Sequence, residues 1–131
     1  MVKAYKLDEL RNNFRNLAGN NCKKLFEKKE NGIRFIFDRR SFNKIGCDKS
    51  INNSVLRGFT VIDHFKVAAN IKELFDNSEV IGQWNKKKTS RTETCYLCRC
   101  KVKDDVCVYM PVVTWGKDEG YIDMYLSEDG E

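Results

Sequence analysis

The sequence contains one histidine, His64, and its position decides which acid–base chemistry is available. It lies near the start of a segment whose apolar residues follow helical spacing, so we expect it partly buried in the first turn of a helix. There it can act as a general acid or base near neutral pH, with Arg99 and Lys101, or Arg91, holding a phosphate in the transition state. A lone histidine at a helix start is also commonly a hydrogen-bonded structural residue, and both interpretations stay open.

Four of the six cysteines lie close together, at Cys95, Cys98, Cys100 and Cys107. Their density suggests zinc, but the intervening residues are typical of a strand and not of the tight turn of a zinc knuckle. Strand alternation places Cys98 and Cys100 on one face and Cys95 on the other, so these thiolates do not converge on one ion. We therefore predict buried thiols, with no metal site and no cofactor. Zinc binding and redox chemistry are the alternatives.

Three strand-like segments, 95–102, 106–115 and 121–126, follow one another at the spacing of an antiparallel meander. Pro111 lies inside the middle segment and predicts a bulge there, because proline donates no ladder hydrogen bond. One set of alternating positions is apolar and suits the underside of the helices. The opposite set is aromatic with interleaved charges: Leu97, Arg99, Lys101, Tyr109, Trp115, Tyr121, Asp123 and Tyr125.

This aromatic set predicts a surface for RNA or single-stranded DNA. Rings such as Tyr109, Trp115 and Tyr125 can stack on bases, at about 1–3 kcal/mol each, while cations hold phosphates. The predicted phosphate contacts come from Arg91, Arg99 and Lys101. Cross-strand aromatic pairing on a half-exposed sheet is the alternative interpretation. The sequence has no glycine-rich phosphate loop, no His-Glu-x-x-His and no GxSxG elbow, which argues against a nucleotide-driven enzyme.

The elements before these strands must position the surface. Helical spacing of Leu7, Leu10, Phe14 and Leu17 predicts a first helix that Gly19 ends. Residues 22–37 predict a hairpin around the Asn31-Gly32 turn signal.

Two further helices are expected. Asp48 can cap a short helix that ends at Gly58, and either Thr60 or Asp63 can cap a helix that runs to about Asn77. Residues 82–93 predict a polar loop. The fold class is α+β, with helices packed on one face of an antiparallel sheet, an N-terminal hairpin and a C-terminal three-stranded meander.

The composition is that of one domain over residues 1–131, with 41% hydrophobic and 33% charged residues. No apolar run approaches the roughly 20 residues that span a bilayer, and the charged start is unlike a signal peptide, so we expect a cytoplasmic protein without membrane contact. Residues 1–58 carry 14 Lys and Arg against 6 Asp and Glu, whereas eight acids and one base follow from Asp104 onward. The basic half favours an anionic partner, the acidic half favours a basic one, and two solvated faces without a partner are a third interpretation.

The central sequence resembles a known family. The residues SFNKIGCDKSINNSVLRGFT at 41–60 and DHFKVAANIKELF at 63–75 are similar to the large polyvalent protein-associated domains carried by phages and conjugative elements. These domains show the pattern Lys-Ser-Ile, Gly-Phe, His-Phe, Ala-Ala-Asn-Ile and Leu-Phe, and the resemblance covers about residues 22–80. It implies a bacterial host cell and a fold related to the barnase, EndoU, colicin and RelE-like ribonucleases. His64 is the one residue that matches a position where that group often has a functional residue.

Two functions are therefore expected. The first is a mobile-element domain that binds RNA or single-stranded DNA, with metal-independent RNA cleavage as the activity that the resemblance implies for His64 and Arg99. The alternative is a non-catalytic module that binds a host protein, such as a nuclease, through the acidic C-terminal region.

Overall fold

The computed structural model describes residues 4–19 and 22–128. Helix α1, Ala4–Ala18, confirms the predicted first helix. Phe14 from this helix is buried, and Leu7 and Leu10 pack partly against the core, as their spacing predicts. The side chain of Leu17 lies outside the described residues.

The predicted hairpin is present, with a longer turn than the sequence indicates. Strand β1, Leu25–Lys28, pairs antiparallel with β2, Ile33–Ile36, and Lys28 lies opposite Ile33. A single 3-10 turn fills the connection, and Gly32 follows it with a φ of 73°, a conformation that glycine adopts without strain. The Asn31-Gly32 signal therefore marks the end of a four-residue connection.

Helices α2, Arg39–Ile45, and α3, Asp48–Leu56, follow the hairpin. The prediction that Asp48 caps α3 is wrong, because Cys47 occupies the N-cap and Asp48 is the first helical residue. The Asp48 carboxylate instead accepts a hydrogen bond from Arg11 at 2.8 Å. This ion pair ties α3 to α1.

The predicted long helix is two helices, α4, Val61–Ala68, and α5, Ile71–Asp76. Both predicted capping residues are used, because the Thr60 hydroxyl accepts from the Asp63 N–H and the Asp63 carboxylate accepts from the Thr60 N–H, each at 3.0 Å. This capping box fixes the start of α4.

The larger sheet has five strands: β3, Glu79–Lys87; β4, Thr92–Lys103; β5, Val106–Trp115; β6, Glu119–Ile122; and β7, Tyr125–Glu128. Its order is β3-β4-β5-β6, and β7 also pairs with β5. The predicted polar loop at 82–93 is wrong, since most of it forms the β3–β4 hairpin. The third predicted strand is two short strands, each paired with a different half of β5.

Pro111 explains why that strand is divided. The Pro111 carbonyl accepts a hydrogen bond from the Asp123 N–H at 2.8 Å. In an antiparallel sheet the backbone nitrogen and carbonyl of one residue point to the same neighbouring strand, so the Pro111 nitrogen also faces Asp123. The missing donor therefore faces the break between β6 and β7. The pairing of Pro111 with Leu97 of β4 is in register, so the bulge predicted at Pro111 is wrong; the irregularities lie at Val80/Gly82 and Lys101/Lys103.

The helices and the small hairpin cover one face of the larger sheet, which confirms the predicted α+β architecture. The core on that face includes most of the predicted apolar set: Cys98, Val108, Met110, Val112, Ile122, Met124 and Leu126. The alternation that runs from Cys98 along β4 also predicts Val102 for this face, but Val102 is 41% exposed. No helix among residues 4–19 and 22–128 is long and apolar enough to cross a membrane.

Candidate nucleic-acid interface

The opposite side of the larger sheet, which we call the outer face, carries the predicted aromatic set. Antiparallel register aligns its residues in rows across the strands. One row contains Trp84, Cys95, Val113 and Tyr121. A second row, four residues further along β4, contains Glu79, Arg99, Tyr109 and Tyr125.

The second row forms the tyrosine end of the outer face. The rings of Tyr109 and Tyr125 stack with centroids 5.4 Å apart, and the Arg57 guanidinium lies 4.7 Å from the Tyr125 centroid. Tyr109 is only 4% exposed, so its ring has no face for a base. Here the structure matches the cross-strand pairing interpretation.

Arg99 is also engaged at the tyrosine end. It donates to Glu79 at 2.7 Å, and this hydrogen bond, together with one to Tyr109, raises the pKa of the guanidinium. Lys101 is exposed near the same edge of the sheet and lines a shallow cavity with Arg99. Two of the predicted phosphate contacts thus lie side by side, and one of them is paired with a carboxylate.

The tryptophan end of the outer face, made of Trp84, Trp115 and Tyr121, is more open. Trp84 is 50% exposed, and the other two rings are half-buried with centroids 6.1 Å apart. The Arg91 guanidinium lies 3.7 Å from the Trp115 centroid, so these two predicted residues do come together. Lys44 of α2 extends its ammonium to 4.9 Å from the Tyr121 centroid.

The cations around the tryptophan end differ in their pairing. Arg91 donates to Glu93 at 2.8 Å, and Arg40, 5.1 Å from the Trp115 centroid, pairs with Asp38 and Glu119. Four lysines form no salt bridge with any residue in the described ranges: Lys44, Lys86, Lys87 and Lys88. They carry the uncompensated positive charge at this end.

Asp123 lies at the break between β6 and β7, between Tyr121 and Tyr125. Its Oδ1 accepts from the Ser50 hydroxyl through a short contact and from the Met124 N–H at 2.7 Å. Burial raises the pKa of this carboxyl group, although these hydrogen bonds and the nearby Lys44 and Lys49 act in the opposite direction. A half-buried carboxylate therefore lies within a face rimmed by cations.

His64 does not belong to the outer face. It is fully buried, and its ring nitrogens contact the Ser54 hydroxyl and the Ile45 carbonyl, each at 2.8 Å. The Ser54 oxygen also accepts from the Leu126 N–H at 2.9 Å. The prediction of a partly buried side chain is wrong, and this geometry supports the structural interpretation of the histidine, because the imidazole has no surface that a substrate can reach.

None of the six cysteines forms a disulfide bond. Cys95, Cys98 and Cys107 are buried and Cys100 is half-buried, and Cys95 and Cys98 occupy opposite faces as predicted. Burial raises the pKa of the Cys95 and Cys98 thiols. Within the described part of the chain, no group of three or more potential ligands is arranged to hold a metal ion.

The acidic C-terminal region is divided by the fold. Asp104 and Asp105 lie in the β4–β5 turn, near the end of the sheet where Val106 pairs with Glu128. At the other end, Asp118 pairs with Arg34 at 2.6 Å. The described acids therefore do not form one continuous surface for a basic host protein.

Sequence reasoning missed four contributors to the tryptophan end. Trp84 fell in the predicted loop, and its β3 position is set by pairing with β4. Arg40 and Lys44 had a detectable signal, because a spacing of four residues puts them on one face of α2. Asp123 was placed on the correct face of the sheet but without a role.

Together these features define a small α+β domain whose one open sheet face is aromatic and cationic. Residues 6–119 match the family Large polyvalent protein-associated domain 3, so the chain belongs to that family. This confirms the resemblance seen in residues 41–75 and identifies the chain as a domain of polyvalent proteins from phages and mobile elements. No curated protein and no solved structure matches it.

Proposed function

We propose that the chain binds single-stranded RNA or DNA at the tryptophan end of its outer face. The observation that carries this proposal is the row of residues that runs across the sheet from Trp84 on β3 to Tyr121 on β6, with Trp115 beside it. Arg91 lies against the Trp115 ring, and Lys44 lies against the Tyr121 ring. Bases stack on aromatic rings and on guanidinium planes, and each stacked base contributes about 1–3 kcal/mol. Both kinds of platform are present within one short stretch of the sheet.

The phosphate backbone needs cations that are not already neutralised. Lys86, Lys87 and Lys88 lie at the exposed tip of the β3–β4 hairpin, and Lys44 lies on the other side of the rings. A strand that crosses the face between these lysines has its bases over the rings and its phosphates at both rims. Arg91 and Arg99 serve mainly to hold Trp115 and Tyr109 in place, because each is paired with a carboxylate.

Binding is proposed here without cleavage. A ribonuclease that used His64 would need its imidazole at the phosphate, and the imidazole is enclosed between Ser54 and Ile45. A host protein partner is less well supported than nucleic acid, because the described acids lie at separate ends of the sheet.

The binding test uses fluorescence anisotropy with labelled 12-nucleotide RNA and DNA strands over a range of salt concentrations. Trp84→Ala is expected to weaken binding about tenfold, because one stacked base is lost. The matched control is Leu56→Ala, which removes another exposed apolar side chain, 82% exposed at the end of α3. Equal affinity for the two variants would contradict the proposed site.

The charge contribution is tested by replacing Lys86, Lys87 and Lys88 together with glutamine. Each phosphate contact on a single strand contributes about 0.7 to the slope of log K against log salt, so the slope is expected to fall by about 2. The control replaces three exposed lysines elsewhere, Lys24, Lys29 and Lys66, and changes the net charge equally. If both triple variants lower the slope equally, the attraction is general and the site is wrong.

A further inference from the structure

The position of Asp123 raises a chemical question about the proposed binding face. A carboxylate next to the rings repels phosphates, so it opposes the backbone of any bound strand. The fold nevertheless anchors it there, through Ser50 of α3 and the Met124 N–H. An anchored acid in this place is suited to contact bases.

The hydrogen bonds to Asp123 leave one oxygen for a ligand. Both bonds that described residues give to this carboxylate end on Oδ1, the oxygen held by Ser50 and Met124. Oδ2 keeps its acceptor capacity, and no side-chain oxygen in the described part of the chain is both fully buried and without a hydrogen bond. Tyr121 and Asp123 are two residues apart in one register with β5 and so lie on the same face of the sheet. A base stacked on Tyr121 would therefore bring its edge towards this carboxylate.

An ionised carboxylate can only accept hydrogen bonds. Cytosine, adenine and guanine each present an exocyclic amino group, which is a donor with two hydrogens. Uracil and thymine present one ring N–H between two carbonyl oxygens, and those oxygens repel the carboxylate. The chemistry of the site therefore distinguishes bases with an amino group from bases without one.

We propose that Asp123 selects the bound base, so that the outer face prefers cytosine, adenine or guanine to uracil or thymine at the position next to Tyr121. This inference rests on the proposed function and specifies what the tryptophan end recognises. Asp123 acts as a specificity residue and takes no part in a reaction.

The test compares oligocytidylate with oligouridylate, because these differ mainly in the amino group and the carbonyl at one ring position. The parent chain is expected to prefer oligocytidylate by about tenfold, the effect of one hydrogen bond to a charged group. Asp123→Asn keeps an oxygen for Ser50 and Met124 and replaces Oδ2 with an amide donor. We expect this variant to prefer oligouridylate, whose carbonyl accepts.

A second variant guards against a folding defect, and thermal denaturation is measured for each. Ser50→Ala keeps the charge of Asp123 but removes its anchor, so the preference is expected to shrink while affinity for oligouridylate stays the same. Equal affinity of the parent chain for both strands, or the same preference in Asp123→Asn, would overturn the selection by Asp123 and leave the proposed function standing. Failure of the parent chain to bind either strand would overturn both.

Discussion

Replacing Ser54 with alanine tests whether His64 is structural. The Ile45 carbonyl can only accept, so His64 Nε2 carries the proton and Nδ1 accepts from the Ser54 hydroxyl. The Ser54 oxygen in turn accepts from the buried Leu126 N–H. Alanine at this position leaves the imidazole Nδ1 and the Leu126 N–H without partners.

The magnitude follows from these two groups. A buried polar group that loses its partner costs about 1–3 kcal/mol, so the loss of two partners in Ser54→Ala is expected to lower the free energy of unfolding by about 2–6 kcal/mol. Urea denaturation at pH 7.5, followed by circular dichroism, measures this change. Asn52→Ala is the control, because Asn52 is an exposed residue of the same helix and is expected to change stability by less than about 0.5 kcal/mol.

The refuting result is specific. If Ser54→Ala is as stable as the parent chain, the network does not hold the fold together. If it also loses nucleic-acid binding or any measured cleavage, His64 acts at the ligand and the assignment of a structural role is wrong.

Two further predictions follow from buried titratable groups. Burial lowers the pKa of the His64 imidazole in the folded chain, so below about pH 6.5 the unfolded chain binds a proton that the folded chain excludes. When the pH is lowered from 6.5 to 5.5, the free energy of unfolding is therefore expected to fall by at most about 1.4 kcal/mol per pH unit. The fall should be smaller in His64→Gln. In thiol titration with a disulfide reagent, exposed Cys22 should react first, and buried Cys95, Cys98 and Cys107 should react only after unfolding. If a metal chelator alone exposes these thiols, the zinc alternative is right.

The elements that the sequence predicted well are those whose burial pattern is one-sided. In α1, Phe14, Leu7 and Leu10 face the core and the positions between them are mostly polar and exposed, so the helical spacing of apolar residues is visible in the sequence. Strand β5 was also predicted, from the alternation of Val108, Met110 and Val112 on the helix-covered face, although Cys107 and Tyr109 on the outer face are buried as well. In such elements, the spacing of the apolar residues shows which side faces the core.

The elements that were missed depend on partners distant in sequence. Strand β3 has mostly exposed residues at the sheet edge, and backbone pairing with β4 makes it a strand without an apolar pattern. Residues 121–126 alternate between the outer face and the core without interruption, so the sequence gives no sign of the break between β6 and β7. That break depends on Pro111, which belongs to another strand, β5. The burial of His64 is likewise set by Ser54 and Ile45, which no local pattern connects to it.

One edge of β3 pairs with no other strand in the described part of the chain, and this affects how the protein behaves at high concentration. An unpaired strand edge can recruit strands from other chains, and lysines and bulges are the usual features that prevent it. β3 has both, with Lys86 and Lys87 at its end and the irregularity between Val80 and Gly82. The lysines proposed to hold phosphates thus also act against aggregation, and their glutamine variant is expected to precipitate at lower protein concentration than the parent chain.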